Sequence, residues 1–179
     1  MEREAEPALA IMKEILEGAG IPVRVGTDMA AWLICHAATV FPLAGGIYAA
    51  GGGQERTCRT RDALVLGFRA FRELFRALRK LGVRVEPASL QPFLRTPEPL
   101  VVRMLSRMLS RDSARVAVFG HANAAGGRDE IAGQALRLDA FVREAGVTMP
   151  NWDRLLLHFE PGRMPPLADG SRIVRLRLW

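Results

Sequence analysis

Apolar and polar side chains recur along the first part of the chain with the spacing of a helix. Residues 6–17 carry apolar positions three or four residues apart, which predicts an amphipathic helix with Pro7 in its first turn. Glycines at positions 18 and 20 are predicted to end this helix, and residues 21–25 are predicted to be extended. The apolar stripe consists of Leu9, Met12, Ile15 and Leu16.

The longest apolar segment covers residues 29–50. Thr27 and Asp28 are candidates for its N-cap, because a side-chain oxygen there can accept a hydrogen bond from the first turn. The near-continuous apolarity predicts a helix buried on all sides, and Pro42 predicts a kink or an interruption. The length would allow a membrane span, but His36, Pro42 and a glycine pair favour a buried core helix.

Six further helices are predicted downstream, at about 61–81, 89–94, 99–110, 113–125, 128–144 and 149–159. In the first of them, six apolar side chains at helical spacing are expected to face the core: Leu64, Phe68, Phe71, Leu74, Phe75 and Leu78. The helix at 99–110 has an apolar face of its own, made by Leu100, Met104, Leu105 and Met108. Gly126 and Gly127 separate or kink the last long helix from its predecessor.

These patterns predict an all-α domain of six to eight helices over residues 1–160. Residues 161–179 are then a tail, which begins as a proline- and glycine-rich linker. Residues 172–179 alternate charged and apolar side chains imperfectly, which is typical of a strand. Because a lone strand is not stable in water, this segment is expected to need a partner edge.

The composition fits a globular domain with a basic surface. Apolar residues make up 49% of the chain, enough for a core, and the net charge is +6. The positive charge is almost all arginine, and the only lysines are Lys13 and Lys80. No nucleic-acid motif accompanies the charge and residues 1–7 lack the apolar core of a signal peptide. We therefore expect a cytoplasmic protein that binds neither nucleic acid nor membrane.

One basic stripe is predicted on the helix at 61–81, where arginines recur every three or four residues: Arg69, Arg72, Arg76 and Arg79. The stripe is either the solvated face of the helix or a contact for an anionic ligand or partner. The two cysteines do not make a disulfide framework or a metal motif. Cys35 is expected to be a buried structural thiol, and Cys58 to lie in a polar loop.

Four blocks of sequence stand out by their order and spacing. They are Ile15-Leu16-Glu17 with Gly20-Ile21-Pro22-Val23; Ala31-Trp32-Leu33 with His36-Ala37-Ala38 and Pro42-Leu43-Ala44; Phe71-Arg72-Glu73 with Leu78, Leu81-Gly82-Val83 and Pro87; and Glu130-Ile131 with Ala145-Gly146-Val147 and Pro150. Together they resemble the C-terminal helical domain of ketopantoate reductases (2-dehydropantoate 2-reductases). The resemblance covers residues 9–156 and implies a fold like that domain and the corresponding domain of 6-phosphogluconate dehydrogenase.

Members of that family reduce a 2-keto acid with NADPH, and a lysine of the first core helix donates the proton. A cation beside the carbonyl oxygen is needed because negative charge develops there during hydride attack. The resemblance places this lysine close after Trp32, where the chain has Leu33, Ile34 and Cys35. His36 aligns near an asparagine that orients the acid; it is either a weak substitute for that asparagine or a packed, hydrogen-bonded core histidine.

The resemblance also implies a substrate-binding glutamate, which falls on Glu130. Glu130 is either part of a retained polar cleft or a surface glutamate near Arg128 and Arg137. His121 and Asn123 lie in the segment that contacts substrate in the family, although exposure near a helix end explains them equally well. We expect Glu130 and His36 to border one pocket between the helix at 29–50 and the helix at 128–144.

About thirty residues precede the first core helix, too few for a dinucleotide-binding domain. The expected function is therefore that of a stand-alone substrate or dimerisation domain, a non-catalytic binding or interaction module. We expect it to form a homodimer and to bind no cofactor by itself, NADP being implied by the resemblance alone. The alternative is one subunit of a split NADPH-dependent 2-keto acid oxidoreductase, with a separate nucleotide-binding chain as its partner. A small-molecule sensor that uses the old cleft, and a nucleic-acid binder through the arginine stripe, are further hypotheses.

Overall fold

The computed structural model describes residues 2–26, 28–124 and 126–172 of the chain. These residues form nine α-helices, one π-helical segment and no strand, so the all-α expectation is confirmed. The number of helices exceeds the six to eight expected, because the short helix at residues 54–59 was not predicted. The strand expected at residues 172–179 falls almost entirely outside the described residues. The α-helices are α1 (Glu2–Gly18), α2 (Met29–Ala49), α3 (Gln54–Arg59), α4 (Arg61–Lys80), α5 (Leu90–Arg95), α6 (Glu98–Leu109), α7 (Asp112–Ala114), α8 (Gly127–Arg143) and α9 (Pro150–Leu156).

Helix α1 forms where the amphipathic pattern predicted it, but its apolar stripe is not covered. Pro7 lies inside the helix rather than at its first position. Leu9 is 46% exposed and Ile15 is 62% exposed, and α1 makes no extensive contact with another helix. Residues 21–25, which were expected to be extended, have no regular secondary structure.

Helix α2 begins where Asp28 accepts a hydrogen bond from the backbone N–H of Ala31 (2.9 Å), which confirms the N-cap. Thr27, the other candidate, lies outside the described residues. The helix runs through Pro42 without interruption. Its second half is buried, but Trp32 and Leu33 in its first half are exposed. The expectation of burial on all sides is therefore wrong for the first half of α2.

By length and composition α2 is the one described helix that could cross a membrane. Half of its most apolar window is buried inside the protein. The core of the domain is built on this buried half together with α4. Helix α4 packs against α2, α3, α6, α8 and α9, and all six side chains predicted to face the core are buried.

The crossing of α2 and α4 requires a glycine. A Cβ atom added to Gly67 would lie 2.8 Å from the carbonyl oxygen of Pro42, closer than any real contact of that kind. Gly67 therefore lets the two backbones approach. After α4 the chain turns at Gly82, whose φ of +78° is a left-handed conformation that glycine adopts without strain, as expected for a helix C-terminus.

Only two of the four arginines of the basic stripe on α4 are exposed to solvent. Arg69 forms a bidentate ion pair with Glu98 at the start of α6 (2.6 and 2.9 Å), and Arg72 donates to the carbonyl of Leu94 at 3.1 Å. These two arginines fasten α5 and α6 to α4, which neither of the expected roles anticipated. Arg76 and Arg79 are exposed, as expected for the wet face of a helix.

Other elements differ from the sequence expectations. Cys58 lies half-buried in α3 instead of in a polar loop. The segment expected to be a helix at 113–125 is helical over residues 112–122, but Arg115–Gly120 within it is π-helical rather than α-helical. On α6, Leu100, Met104 and Met108 are exposed. The side chains that α6 buries are Val101, Val102 and Leu109.

Residues 161–172, the first part of the expected tail, run back over the domain. The backbone N–H of Leu167 donates to the carbonyl of Ala49 at the end of α2 (2.7 Å), and Arg56 of α3 donates to the carbonyl of Leu167 (2.8 Å). The segment therefore closes the end of α2 and α3 rather than extending away from them.

Candidate functional site

The resemblance implies a substrate cleft between α2 and α8, and these helices line a shallow, open groove of about 310 Å³, which we call the α2–α8 groove. Helix α2 contributes four apolar side chains to it, and α8 contributes two apolar and two polar ones. The lining residues are Leu33, Ile34, Ala37, Phe41, Gln134, Arg137, Leu138 and Phe141. Arg137 is the only charged residue among them.

Two apolar side chains occupy the part of the groove where the resemblance implies a lysine. Leu33 and Ile34 follow Trp32 directly, and both line the groove. A keto group bound against them would find no proton donor on α2. The groove therefore offers apolar contact together with a single guanidinium, that of Arg137.

Glu130 lies on α8, one turn before Gln134, and is exposed. Its Oε1 accepts a hydrogen bond from Nε2 of Gln134 at 3.1 Å, and that contact is exposed as well. Glu130 thus shares a helix face with the groove residues but lies beyond the end of the groove. The only described contact between Glu130 and a groove residue is this hydrogen bond from Gln134.

His36 is also exposed, and its ring stacks on that of Trp32 with the centroids 5.0 Å apart and the planes 6° from parallel. It is therefore not the packed core histidine that was considered. Because the groove is lined by Leu33, Ala37 and Phe41, His36 lies to the side of that face of α2. The expected pocket bordered by both Glu130 and His36 is not the groove that α2 and α8 form.

The other two candidates lie near the π-helical segment. His121 is exposed and follows that segment directly. Asn123 donates through its side-chain amide to the carbonyls of Gly52 (3.1 Å) and Phe119 (2.9 Å). Its described hydrogen bonds therefore tie the loop after α2 to the segment before α8, which is a structural role. None of the four predicted residues lines the α2–α8 groove.

A buried polar cluster that the sequence did not reveal joins α2, α8 and the end of α9. The guanidinium of Arg128 lies 4.5 Å from the centroid of the Tyr48 ring and donates to the carbonyls of His158 (2.6 Å) and Phe159 (3.0 Å). The hydroxyl of Tyr48 donates to the carbonyl of Ala122 at 2.9 Å. Burial raises the pKa of Tyr48, against the opposing effect of Arg128.

His158 completes this cluster, and burial lowers its pKa, helped by the positive charges of Arg154 and Arg128. The imidazole is therefore held neutral. The one feature of the sequence that could have pointed to this cluster is that Tyr48 is the only tyrosine of the chain. The described hydrogen bonds of the cluster all end on backbone carbonyls, so it fastens the helix ends together.

Neither thiol is activated. Cys35 is completely buried, and its Sγ accepts from the backbone N–H of Glu86 at 3.5 Å. Burial raises the pKa of Cys35 and also that of Cys58, which keeps both thiols protonated and unreactive. Cys35 is thus the structural thiol that was expected. Among the described residues, no group of three or more His, Cys, Asp or Glu side chains is arranged to hold a metal ion.

Comparison of the chain with protein family models, with curated proteins and with solved structures found no match.

Proposed function

We propose that this chain is a non-catalytic helical interaction module of the ketopantoate reductase type, which pairs with a second copy of itself. The observation that carries the proposal is the concentration of exposed apolar side chains in residues 9–33, which hold nine of the fifteen large hydrophobic residues exposed in the described structure. We call these nine the N-terminal apolar set: Leu9, Ile11, Met12, Ile15, Ile21, Val25, Met29, Trp32 and Leu33.

Exposed apolar side chains concentrated in this way are typical of an association surface, since their burial removes apolar area from water. Helix α1 is amphipathic and packs extensively on nothing within the described chain, so its apolar stripe is available to a partner. A second copy supplies an identical stripe, and a two-fold arrangement buries both at once.

The proposed lack of catalytic activity is supported by the residues that line the α2–α8 groove, which include no lysine. The two lysines lie outside α2, Lys13 on α1 and Lys80 at the end of α4, so neither occupies the position that the resemblance gives to the proton donor. Without that lysine, a keto acid in the groove lacks the proton donor, and the positive charge on α2, that the resemblance implies for hydride attack. The groove supports binding of a small molecule, at most.

Sedimentation at micromolar concentration tests the pairing. We expect twice the mass of one chain for the wild type and a single chain mass for the double variant Ile11→Glu/Ile15→Glu, because two carboxylates on the α1 stripe cannot be buried against an apolar partner. The control is Val116→Glu/Leu136→Glu, which changes two highly exposed apolar residues (79% and 60%) outside the N-terminal apolar set and should remain a dimer. A monomeric wild type would end the proposal.

A second candidate function is one subunit of a split NADPH-dependent 2-keto acid oxidoreductase. The exposure of Trp32 and Leu33 favours it, because the resemblance implies that this end of α2 meets the nucleotide-binding domain. Mixing the chain with a co-purified nucleotide-binding protein and following NADPH oxidation with ketopantoate would decide it. Oxidation that requires both chains supports the split enzyme, and oxidation by neither the chain nor the mixture rules it out.

A further inference from the structure

A second cavity lies on the face of α2 opposite the α2–α8 groove. It measures about 380 Å³ and is enclosed by α2, α4, α5 and α6; we call it the apolar cavity. Helix α2 turns Thr39, Pro42, Leu43 and Gly46 towards it, whereas the groove uses Leu33, Ile34, Ala37 and Phe41. At 100° per residue these two sets point to opposite sides of the helix, so the two sites are separate.

The lining of the apolar cavity selects against charge. None of the residues that line it is charged, and only Thr39 and Ser89 carry a polar side chain. The hydroxyl of Thr39 already donates to the carbonyl of Cys35 at 2.8 Å. A molecule inside would therefore be held almost entirely by apolar contact, and a carboxylate or phosphate would lose its hydration without gaining a partner.

We propose that the apolar cavity binds an uncharged, predominantly apolar small molecule. Its volume lies within the range of about 300–1,000 Å³ found for small-molecule sites. A dry apolar cavity of about 150 Å³ already binds benzene, so this one accommodates a ligand with about two fused rings. This proposal goes beyond the pairing of chains, because no member of the N-terminal apolar set lines the cavity.

The walls of the cavity made by α4 and α5 are held in place by contacts within the chain. The ring of Phe93 on α5 packs edge-on against Phe68 and Phe71 of α4, with centroids 5.5 Å apart in both pairs. Helix α5 cannot easily collapse inward, because Arg72 donates to the carbonyl of Leu94 near its end and is held over the Phe68 ring at 4.4 Å. Such prior ordering lowers the entropic cost of binding.

The wall made by α6 is different in kind. Met104 and Met108 line the cavity and are 47% and 39% exposed, so part of each side chain also faces solvent. Methionine is flexible and polarisable, and it adapts to apolar ligands of different shape. A rigid aromatic floor with an adaptable methionine wall therefore fits apolar small molecules of different shape.

The probe for the test is N-phenyl-1-naphthylamine, an uncharged naphthalene derivative whose fluorescence rises in apolar surroundings. We expect saturable binding with one probe per chain. Met104→Trp should weaken binding by about tenfold, because the indole occupies the cavity. Met12→Trp is the matched control, since Met12 is an exposed methionine of α1 that does not line the cavity, and its affinity should equal that of the wild type.

Leu90→Trp, on α5, repeats the test from the other wall and serves if Met104→Trp does not fold. Saturating probe should also raise the melting temperature of the wild type, because ligand binds the folded chain. Non-saturable binding, or equal affinity in wild type and both cavity variants, would overturn the proposal. If the dimeric wild type failed to bind the probe while the monomeric Ile11→Glu/Ile15→Glu variant bound it, the cavity would belong to the interface between chains. That result would overturn the proposal as well. Because Ile11→Glu/Ile15→Glu leaves the cavity intact, its probe affinity separates failure here from failure of the pairing.

Discussion

Glu73 on α4 is hydrogen-bonded to both the backbone and the side chain of Asn151 in the first turn of α9. The Glu73 carboxylate accepts hydrogen bonds from the backbone N–H and the side-chain amide of Asn151, and from the backbone N–H of Trp152 at 2.9 Å. It thus satisfies N–H groups that the start of a helix leaves without a partner. Burial raises the pKa of Glu73, although these hydrogen bonds act to lower it.

Replacing Glu73 by Ala should lower the free energy of unfolding by about 1–3 kcal/mol, since buried N–H groups of α9 would lose their acceptor. Urea denaturation followed by circular dichroism measures this. Glu130→Ala is the matched control, because Glu130 is an exposed helix glutamate and should change stability by less than about 0.5 kcal/mol. Equal effects of the two substitutions would contradict the role assigned to Glu73.

His158 should make the protein sensitive to mild acid. Its folded pKa is lowered by burial and by the nearby Arg154 and Arg128, so the folded state disfavours the protonated imidazole. The stabilising contribution is complete above the unfolded pKa of about 6.5 and is lost as the pH falls through the lower folded pKa. Wild type should therefore lose stability below about pH 6.5 more steeply than His158→Gln. Denaturation series of wild type and His158→Gln at pH 5 to 8 measure this difference, and an equal pH dependence of the two would contradict it.

Two glycines should respond to alanine in opposite directions. Gly67→Ala places a Cβ 2.8 Å from the Pro42 carbonyl and should destabilise the protein by about 1–3 kcal/mol, since two backbones must move apart. Gly133→Ala, on the exposed face of α8, meets nothing within 4 Å and should stabilise the protein by about 0.5–1 kcal/mol through helix propensity. Thermal denaturation of both variants provides the measurement. A neutral Gly67→Ala would show that α2 and α4 do not cross as closely as described.

The isolated chain should not bind NADPH. Its sequence contains no GxGxxG turn after a strand, the feature that holds the pyrophosphate in dinucleotide-binding domains. Calorimetric titration should show no saturable binding below millimolar concentration. Micromolar affinity would contradict both the stand-alone module and the split enzyme as formulated.

Helical periodicity predicted most helices and the core face of α4, because that face repeats over the length of the helix. It did not predict whether an apolar stripe is covered. The stripes of α1 and α6 have the same periodicity as that of α4, yet Ile15 and Leu100 are exposed whereas Leu74 is buried. Coverage depends on where the other helices pack, which periodicity within one helix does not contain.

The candidate site shows the same limit. The position of Glu130 on α8 was predicted, but the groove stops one turn away at Gln134. The contact of Glu73 with Asn151 joins residues 78 positions apart, and the Arg128 cluster uses backbone carbonyls that no side-chain pattern reveals. The sequence of residue types therefore predicted where the helices lie better than it predicted the contacts between the helices.

Helix α4 packs against five other helices, and no described pair of the remaining helices shares as much contact as α4 shares with α2 or α9. A fluctuation that releases α4 must therefore dismantle the whole core. Its amide hydrogens should exchange with solvent deuterium only when the entire domain opens, whereas those of α1 should exchange independently and far sooner. On the timescale of hydrogen exchange, the protein thus consists of one cooperative unit around α4 and of helix α1, whose stability depends on the partner against which it packs.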